Sequence, residues 1–219
     1  MKALFFGSIG SVVETSRLQY DAFHVAFAQH GLDWHWDLLT YRDMLKISGG
    51  VNRISAFADK RNQQVDAKAI HATKTLLFLE KLQSDYVKPM PYVSVGLKTA
   101  QEQGMKTGFV STTEKATVQI IAKKLVSEGN PDFDIMTHRG LGLPEKPKPD
   151  AYIYAFEALG IKAQSAIVIE DNIDGIAAAK TAGARVVGVP GTMAKQEDLR
   201  AADITVGLGS DVQWIKLFA

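Results

Sequence analysis

Between residues 93 and 206 short apolar runs take turns with stretches of helical spacing, and that alternation leaves few folds open to the chain. A helical pattern over Val93 to Gln103 leads into a strand pattern at Thr107 to Val110. Another helix is expected from Lys115 to Val126, then a short strand at Phe133 to Met136 and a proline-rich loop from Leu143 to Pro149. A helix over 150–159, a strand at Ala166 to Ile169, a helix over 174–181 and a strand at Arg185 to Val189 continue the series. Asp203 to Val206 offers an edge strand. Strands separated by helices of roughly ten to fifteen residues indicate a parallel sheet wrapped by helices.

The first residues belong to the same sheet. Ala3, Leu4, Phe5 and Phe6 form a run too short for an ordinary helix, set hard against Gly7 and Gly10. They read as a buried strand that ends in a tight loop. Residues 16–85 look helical throughout. Leu18, Ala22, Val25, Ala26 and Gln29 trace one stripe, stopped by His30-Gly31. Helical intervals then run from Leu32 to Lys46, through Trp34 and Trp36, until Gly49-Gly50 breaks them. Further helices are expected over Val51 to Arg61 and Asp66 to Leu82. Lys88-Pro89-Met90-Pro91 reads as a linker, because two close prolines resist both helix and sheet interior. The expected architecture is therefore α/β: a parallel-sheet core from residues 1–15 and 86–219, with an all-helical domain, 16–85, inserted after the first strand.

Composition narrows the function classes. A formal net charge of +1 gives no general attraction to nucleic acid or an acidic membrane. The absence of cysteine excludes disulfides, thiolate zinc sites and a cysteine nucleophile. No apolar run approaches the eighteen or so residues of a membrane span, and the opening Met1-Lys2 leaves no room for a signal peptide. A cytoplasmic protein is the expectation.

In a right-handed parallel sheet the carboxyl ends of the strands open onto one edge, where ligands collect. Gly7, Ser111, Lys146 and the pair Glu170-Asp171 all fall there. Each has a plainer reading. Ser111-Thr112-Thr113 before Glu114 suits a helix N-cap, Lys146 suits a solvated loop, and Asp171 to Asp174 suits a helix amino end. The strand Ile167-Val168-Ile169 pushes the two carboxylates out together, and oxygen ligands of this kind suit magnesium. His24, His30, His35, His71 and His138 show no metal-ligand spacing, and GSIGS matches neither GxGxxG nor the GxxxxGK phosphate loop.

Taken together, TGFVSTT, EKPKPDAYIYAFEALGI and IVIEDNIDGIAAAKTAGARVVGV resemble the haloacid dehalogenase-like hydrolases, phosphatases and phosphomutases with a Rossmann-like core and a helical cap. The similarity covers nearly the whole chain. The stretch GLDWHWDLLTYRDMLKISGG looks most like the CbbY-type sugar-bisphosphate phosphatases, with β-phosphoglucomutases and phosphoglycolate phosphatases as more distant relatives. The resemblance implies that Ser111, with Thr112, binds the phosphoryl group, that Lys146 neutralises its charge, and that Glu170 and Asp171 anchor magnesium. It also implies a phosphorylated small molecule, a sugar phosphate, as ligand. Arg53 and Lys74 of the helical domain stand where related sugar-phosphate enzymes carry basic groups. Gln19 stands where the CbbY-type sequences have His.

One departure dominates. The first strand in this family ends in Asp-x-Asp, whose first carboxylate attacks phosphorus and binds metal while the second handles protons. Here the stretch is Gly7-Ser8-Ile9. Glycine offers no nucleophile and isoleucine cannot exchange a proton. With strand geometry continued, Ser8 is expected to point away from the site. Three readings follow. The first is a phosphate-ligand-binding relative, inactive or very weak, with weakened magnesium binding. The second is an active magnesium-dependent hydrolase working by a non-standard route. The third is a structural or regulatory protein with a protein partner, in which Glu170 and Asp171 satisfy Lys146 in a purely internal ion network.

Overall fold

Why the chain folds as it does begins with β1, Ala3–Phe6, in which every residue is buried, as an unbroken apolar run requires of a strand covered on both faces. In the computed structural model, which describes residues 2–47, 49–84, 87–193 and 199–207, the elements follow in chain order. A single helical turn, α1 (Ile9–Val12), precedes the helices α2 (Ser16–Gln29), α3 (Leu38–Leu45), α4 (Gly50–Lys60) and α5 (Ala67–Ser84). Then come α6 (Pro91–Glu102), β2 (Lys106–Val110), α7 (Lys115–Ser127), β3 (Ile135–Thr137) and α8 (Asp150–Leu159). The series closes with β4 (Ala166–Glu170), α9 (Ile173–Thr181), β5 (Arg185–Gly188) and β6 (Ile204–Thr205). The chain divides into two compact units, Thr15–Tyr86 and the remainder.

In the sheet unit the described strands form one six-stranded sheet, ordered β3-β2-β1-β4-β5-β6, with every pairing parallel. This is the Rossmann-like arrangement, and the strand order reverses at β1. The carboxyl ends of β1 and β4 are therefore neighbours, with Phe6 in register with Ile169. Phe5 packs edge-on against Phe156 with ring centroids 5.3 Å apart, in a core shared with Tyr152, Ala155, Val168, Ile176 and Val186. Gly108 makes room for that ring, since a Cβ there would lie 2.4 Å from Phe5.

Local chemistry corrects several sequence expectations in this unit. The loop after β1 contains α1, because the Ser8 hydroxyl accepts from the Ser11 backbone and the Ser11 hydroxyl returns a bond to the Ser8 carbonyl. The proline stretch at 88–91 is paired rather than a free linker. Pro89 bridges Val13, Met90 N–H donates to the Val12 carbonyl at 2.9 Å, and Pro91 opens α6 as Pro suits a first helical position. Phe133 precedes β3 instead of starting it; its ring packs against Phe6 and Phe109.

The helical unit is built around Trp36, which is fully buried. Its ring lies 4.9 Å from Phe23, 4.8 Å from Phe27 and 5.5 Å from Phe57. The expected helix over Leu32 to Lys46 is only α3. Asp37 caps it by accepting from Thr40 N–H at 2.7 Å, and the five residues before Asp37 lack helical structure. Extended backbone sends Trp34 and Trp36, two apart, into the same core. His24 fixes that segment: with Nδ1 donating to the Tyr20 carbonyl at 2.9 Å, its Nε2 accepts from the Trp36 N–H at 3.0 Å. No described helix is long and apolar enough to cross a membrane.

Candidate functional site

Strand β4 carries Glu170 to its carboxyl end, where the side chain is 0% exposed. A carboxylate so placed must be paired. Glu170 Oε1 accepts from Lys146 Nζ at 2.6 Å and from Tyr152 Oη at 2.6 Å. Tyr152 comes from α8 and Lys146 from the proline-rich loop before it. Burial raises the pKa of Glu170, with Lys146 pulling the other way. Burial also raises the Tyr152 phenol well above its ordinary value, and the Glu170 charge adds to that. Tyr152 is therefore a donor to Glu170 throughout the neutral range.

The solvated-loop reading of Lys146 does not hold, since its side chain is only 8% exposed. Besides Glu170, its ammonium donates to the Gly7 carbonyl, to the Val110 carbonyl at 2.8 Å and to Tyr152 Oη at 3.1 Å. The ends of β1, β2 and β4 are thus joined through one nitrogen. Sequence reasoning missed Tyr152. Its signal was a tyrosine on the buried stripe of α8, indistinguishable from a core aromatic without the fold.

Asp171 is held differently. Ser8 Oγ donates to Asp171 Oδ1 at 2.5 Å, and Asn172 Nδ2 donates to the same oxygen at 2.8 Å. The expectation that Ser8 points away therefore fails, because α1 turns the backbone at Ser8 and its side chain comes round to Asp171. Asn172, not Asp171, caps α9, accepting from Gly175 N–H at 2.8 Å.

Ser111 is buried, and the capping role expected for it is absent. Helix α7 starts later, at Lys115, with Glu114 as an N-cap that makes no side-chain bond. Ser111 Oγ instead pairs with Thr113 Oγ1 at 2.9 Å and accepts from Thr113 N–H at 3.2 Å. Thr112 lies between them, half-buried. The structure thus gathers Gly7, Ser8, Lys146, Glu170 and Asp171, with Ser111 directly after the Val110 carbonyl that Lys146 grips. Ile9 lies in α1 and brings no titratable group.

Arg53 and Lys74 both belong to the helical unit. Arg53 is half-buried and donates from Nε to the Ile47 carbonyl at 2.8 Å. Lys74 is 6% exposed. Its ammonium donates to Gln19 Oε1 and lies 5.0 Å from the ring centroids of both Phe23 and Phe78. Burial, and then the like charge of Arg53, pulls its pKa from 10.5 down to about 7. The sign of the consequence is fixed. The unfolded chain keeps this proton to a higher pH than the folded one, so stability rises with pH between about 7 and 10.5. Lys74→Met is therefore expected to stabilise the protein at pH 6.5, and each pH unit above 7 erodes that gain by about 1.4 kcal/mol. The lost cation–π contacts, worth about 0.5–2 kcal/mol, reduce the gain without reversing its trend. Urea midpoints at pH 6.5 and 9.5 measure it, and a gain that grew with pH would refute the assignment.

Phosphatases of the haloacid dehalogenase-like type generally use Mg2+, and the donors at this edge fit that ion poorly. Position 7 has no side chain, Glu170 Oε1 already accepts from an ammonium and a phenol, and Asp171 Oδ1 already accepts two hydrogen bonds. Among the described residues no group of three or more His, Asp or Glu could hold a metal ion.

Comparison with known proteins places this arrangement. Residues 10–189 match the haloacid dehalogenase-like hydrolase family. Protein CbbY of Rhodobacter capsulatus is 31% identical over 207 residues, spanning 93% of this chain and 91% of its own. The crystal structure of CbbY from Rhodobacter sphaeroides in complex with phosphate superposes with a TM-score of 0.79 at 29% identity, covering 94% of this chain and 93% of that one. A mutant of that CbbY was crystallised in complex with xylulose-(1,5)bisphosphate, with the same TM-score of 0.79. A β-phosphoglucomutase of Clostridium difficile, at 20% identity and a TM-score of 0.74 over 100% of this chain and 96% of its own, shares the fold. On its sheet topology, its site residues and these matches, the chain belongs to the haloacid dehalogenase-like hydrolase family, with CbbY proteins among its homologues.

Proposed function

We propose that this protein binds a phosphorylated small molecule, a sugar phosphate, and does not turn it over by aspartyl-phosphate chemistry. The observation that carries the reading is the state of position 7. There is no carboxylate there, and the volume one would need is filled: a Cβ on Gly7 would lie 2.1 Å from Glu170 Oε1 and 2.1 Å from Tyr152 Oη. Ile9 removes the second carboxylate. Ser111 and Thr112 supply hydroxyls directly after β2, whose last carbonyl, that of Val110, Lys146 holds. In the helical unit, Lys74 and Arg53 form a second cationic group that a phosphate would neutralise. The ligand in the CbbY relative's structure, xylulose-(1,5)bisphosphate, is a sugar phosphate, and that supports the ligand class.

The test is thermal. Across a panel of pentose and hexose mono- and bisphosphates, at least one ligand is expected to raise Tm by about 5 °C or more at a hundredfold excess over its Kd. No phosphate is expected to be released. A flat panel, with matched sulfate as the ionic control, would overturn the reading. A structural or regulatory role is the second reading, favoured by the closed contact among Lys146, Glu170 and Tyr152. It predicts the flat panel together with a larger assembly, seen by light scattering when a protein partner is added.

A further inference from the structure

Magnesium at phosphate sites is ordinarily held by one or two carboxylates together with the phosphate. We infer that the ammonium of Lys146 is the resident cation of the sheet edge, in place of Mg2+, so that the site works without metal. Four oxygens surround Lys146 Nζ: two backbone carbonyls, from Gly7 and Val110, the Tyr152 phenol and the Glu170 carboxylate. An ammonium has three protons to give. Four acceptors therefore saturate it.

The cage is tight on the carboxylate side as well. A Cβ on Gly175 would lie 2.1 Å from the Glu170 carboxyl carbon, and one on Gly7 would lie 2.1 Å from its oxygen. A Cβ on Gly10 would lie 1.9 Å from Asp171 Oδ2. Three glycines thus let the two carboxylates settle directly on the backbone. Mg2+ demands near-octahedral oxygen geometry at about 2.0–2.1 Å and keeps several waters. The four oxygens around Lys146 Nζ, with Tyr152 also donating to Glu170 Oε1, leave Mg2+ no place among them. Lys146 and Glu170 already neutralise one another inside the cage, so a dication could reach that carboxylate oxygen only by displacing the ammonium from it.

The experiment uses the full chain and metal alone, so it does not depend on finding the sugar ligand. Mn2+ as an EPR probe, and Tm in MgCl2 against EDTA at matched ionic strength, report occupancy of the edge. The native protein is expected to hold no Mn2+ at stoichiometric level and to show the same Tm in both solutions. Lys146→Met removes the resident cation and is expected to gain both responses, with Mg2+ raising its Tm by about 5 °C at a hundredfold excess over Kd. Glu170→Gln added to that variant should abolish the gain. Stoichiometric Mn2+ on the native chain, lost in Glu170→Gln, would overturn the inference. So would a folded Lys146→Met that ignores Mg2+. If Lys146→Met does not fold, the native protein's Mn2+ spectrum alone decides. A flat sugar-phosphate panel leaves this result unaffected, so the two readings fail separately.

Discussion

Assayed on sugar mono- and bisphosphates, the purified protein is expected to release phosphate no faster than buffer, and Gly7→Asp/Ile9→Asp is not expected to restore turnover by itself. The first half follows from magnitudes. Enzymatic phosphate-monoester hydrolysis reaches enhancements on the order of 10²¹, near 28 kcal/mol at about 1.36 kcal/mol per decade. Positioning accounts for about 7–11 kcal/mol of such a barrier. Residues that only hold a phosphate leave most of it standing, and loss of a nucleophile costs on the order of 10⁶ in kcat where that has been measured. The second half comes from the packing. An aspartate at position 7 must push aside both Glu170 Oε1 and Tyr152 Oη, each 2.1 Å from its Cβ. Overpacking of this kind costs about 1–3 kcal/mol. Tyr152→Phe added to the double variant should return part of that cost, because the phenol oxygen goes while the Glu170 conflict stays. The nucleophile that could prove this wrong is Ser8, whose hydroxyl already donates to Asp171. Its oxygen also caps α1, which occupies one of its two lone pairs. Phosphate release lost on Ser8→Ala, or a phosphate adduct found at Ser8 by mass spectrometry, would overturn the prediction.

Lys146→Met is expected to cost about 3–5 kcal/mol of unfolding free energy, because it leaves the fully buried Glu170 carboxylate with a phenol and an amide but no cation. Glu170→Gln in the same chain should return most of it, since the neutral amide needs no counter-charge. The pair is thus expected to be strongly non-additive in urea denaturation. Additive losses would mean that the two side chains contribute separately and that the short contact has no energetic content. The expectation differs from that for the exposed ion pairs, such as Arg17–Asp21, whose removal should change stability by less than about 1 kcal/mol.

The buried face of each strand, the helices between them and the insertion after β1 all have local signatures, so a parallel sheet wrapped by helices was legible from hydrophobic period and turn residues, while its Rossmann-like character came from the family resemblance and its strand order from the structure. The segment before α3 was not. Trp34 and Trp36 fit helical spacing with their neighbours, and nothing local says that both rings are better buried from extended chain. The start of α7 at Lys115 was legible, whereas the bonds of the Ser111 hydroxyl to Thr113 were not.

For the site, the sequence by itself determined what is missing: no arrangement of backbone gives Gly7 or Ile9 a carboxylate. It also placed Ser111, Lys146, Glu170 and Asp171 at strand ends, because the parallel sheet sends all those ends one way. Only the tertiary structure decided what those groups do to one another. Lys146 could have been solvated, and it is instead held by four oxygens from β1, β2, β4 and α8. Ser8 could have faced away, and α1 turned it onto Asp171. The physical reason is the range of each force. Periodicity and capping act over a few residues, whereas pairing of a buried charge is set by whichever groups distant in sequence share its low-dielectric surroundings.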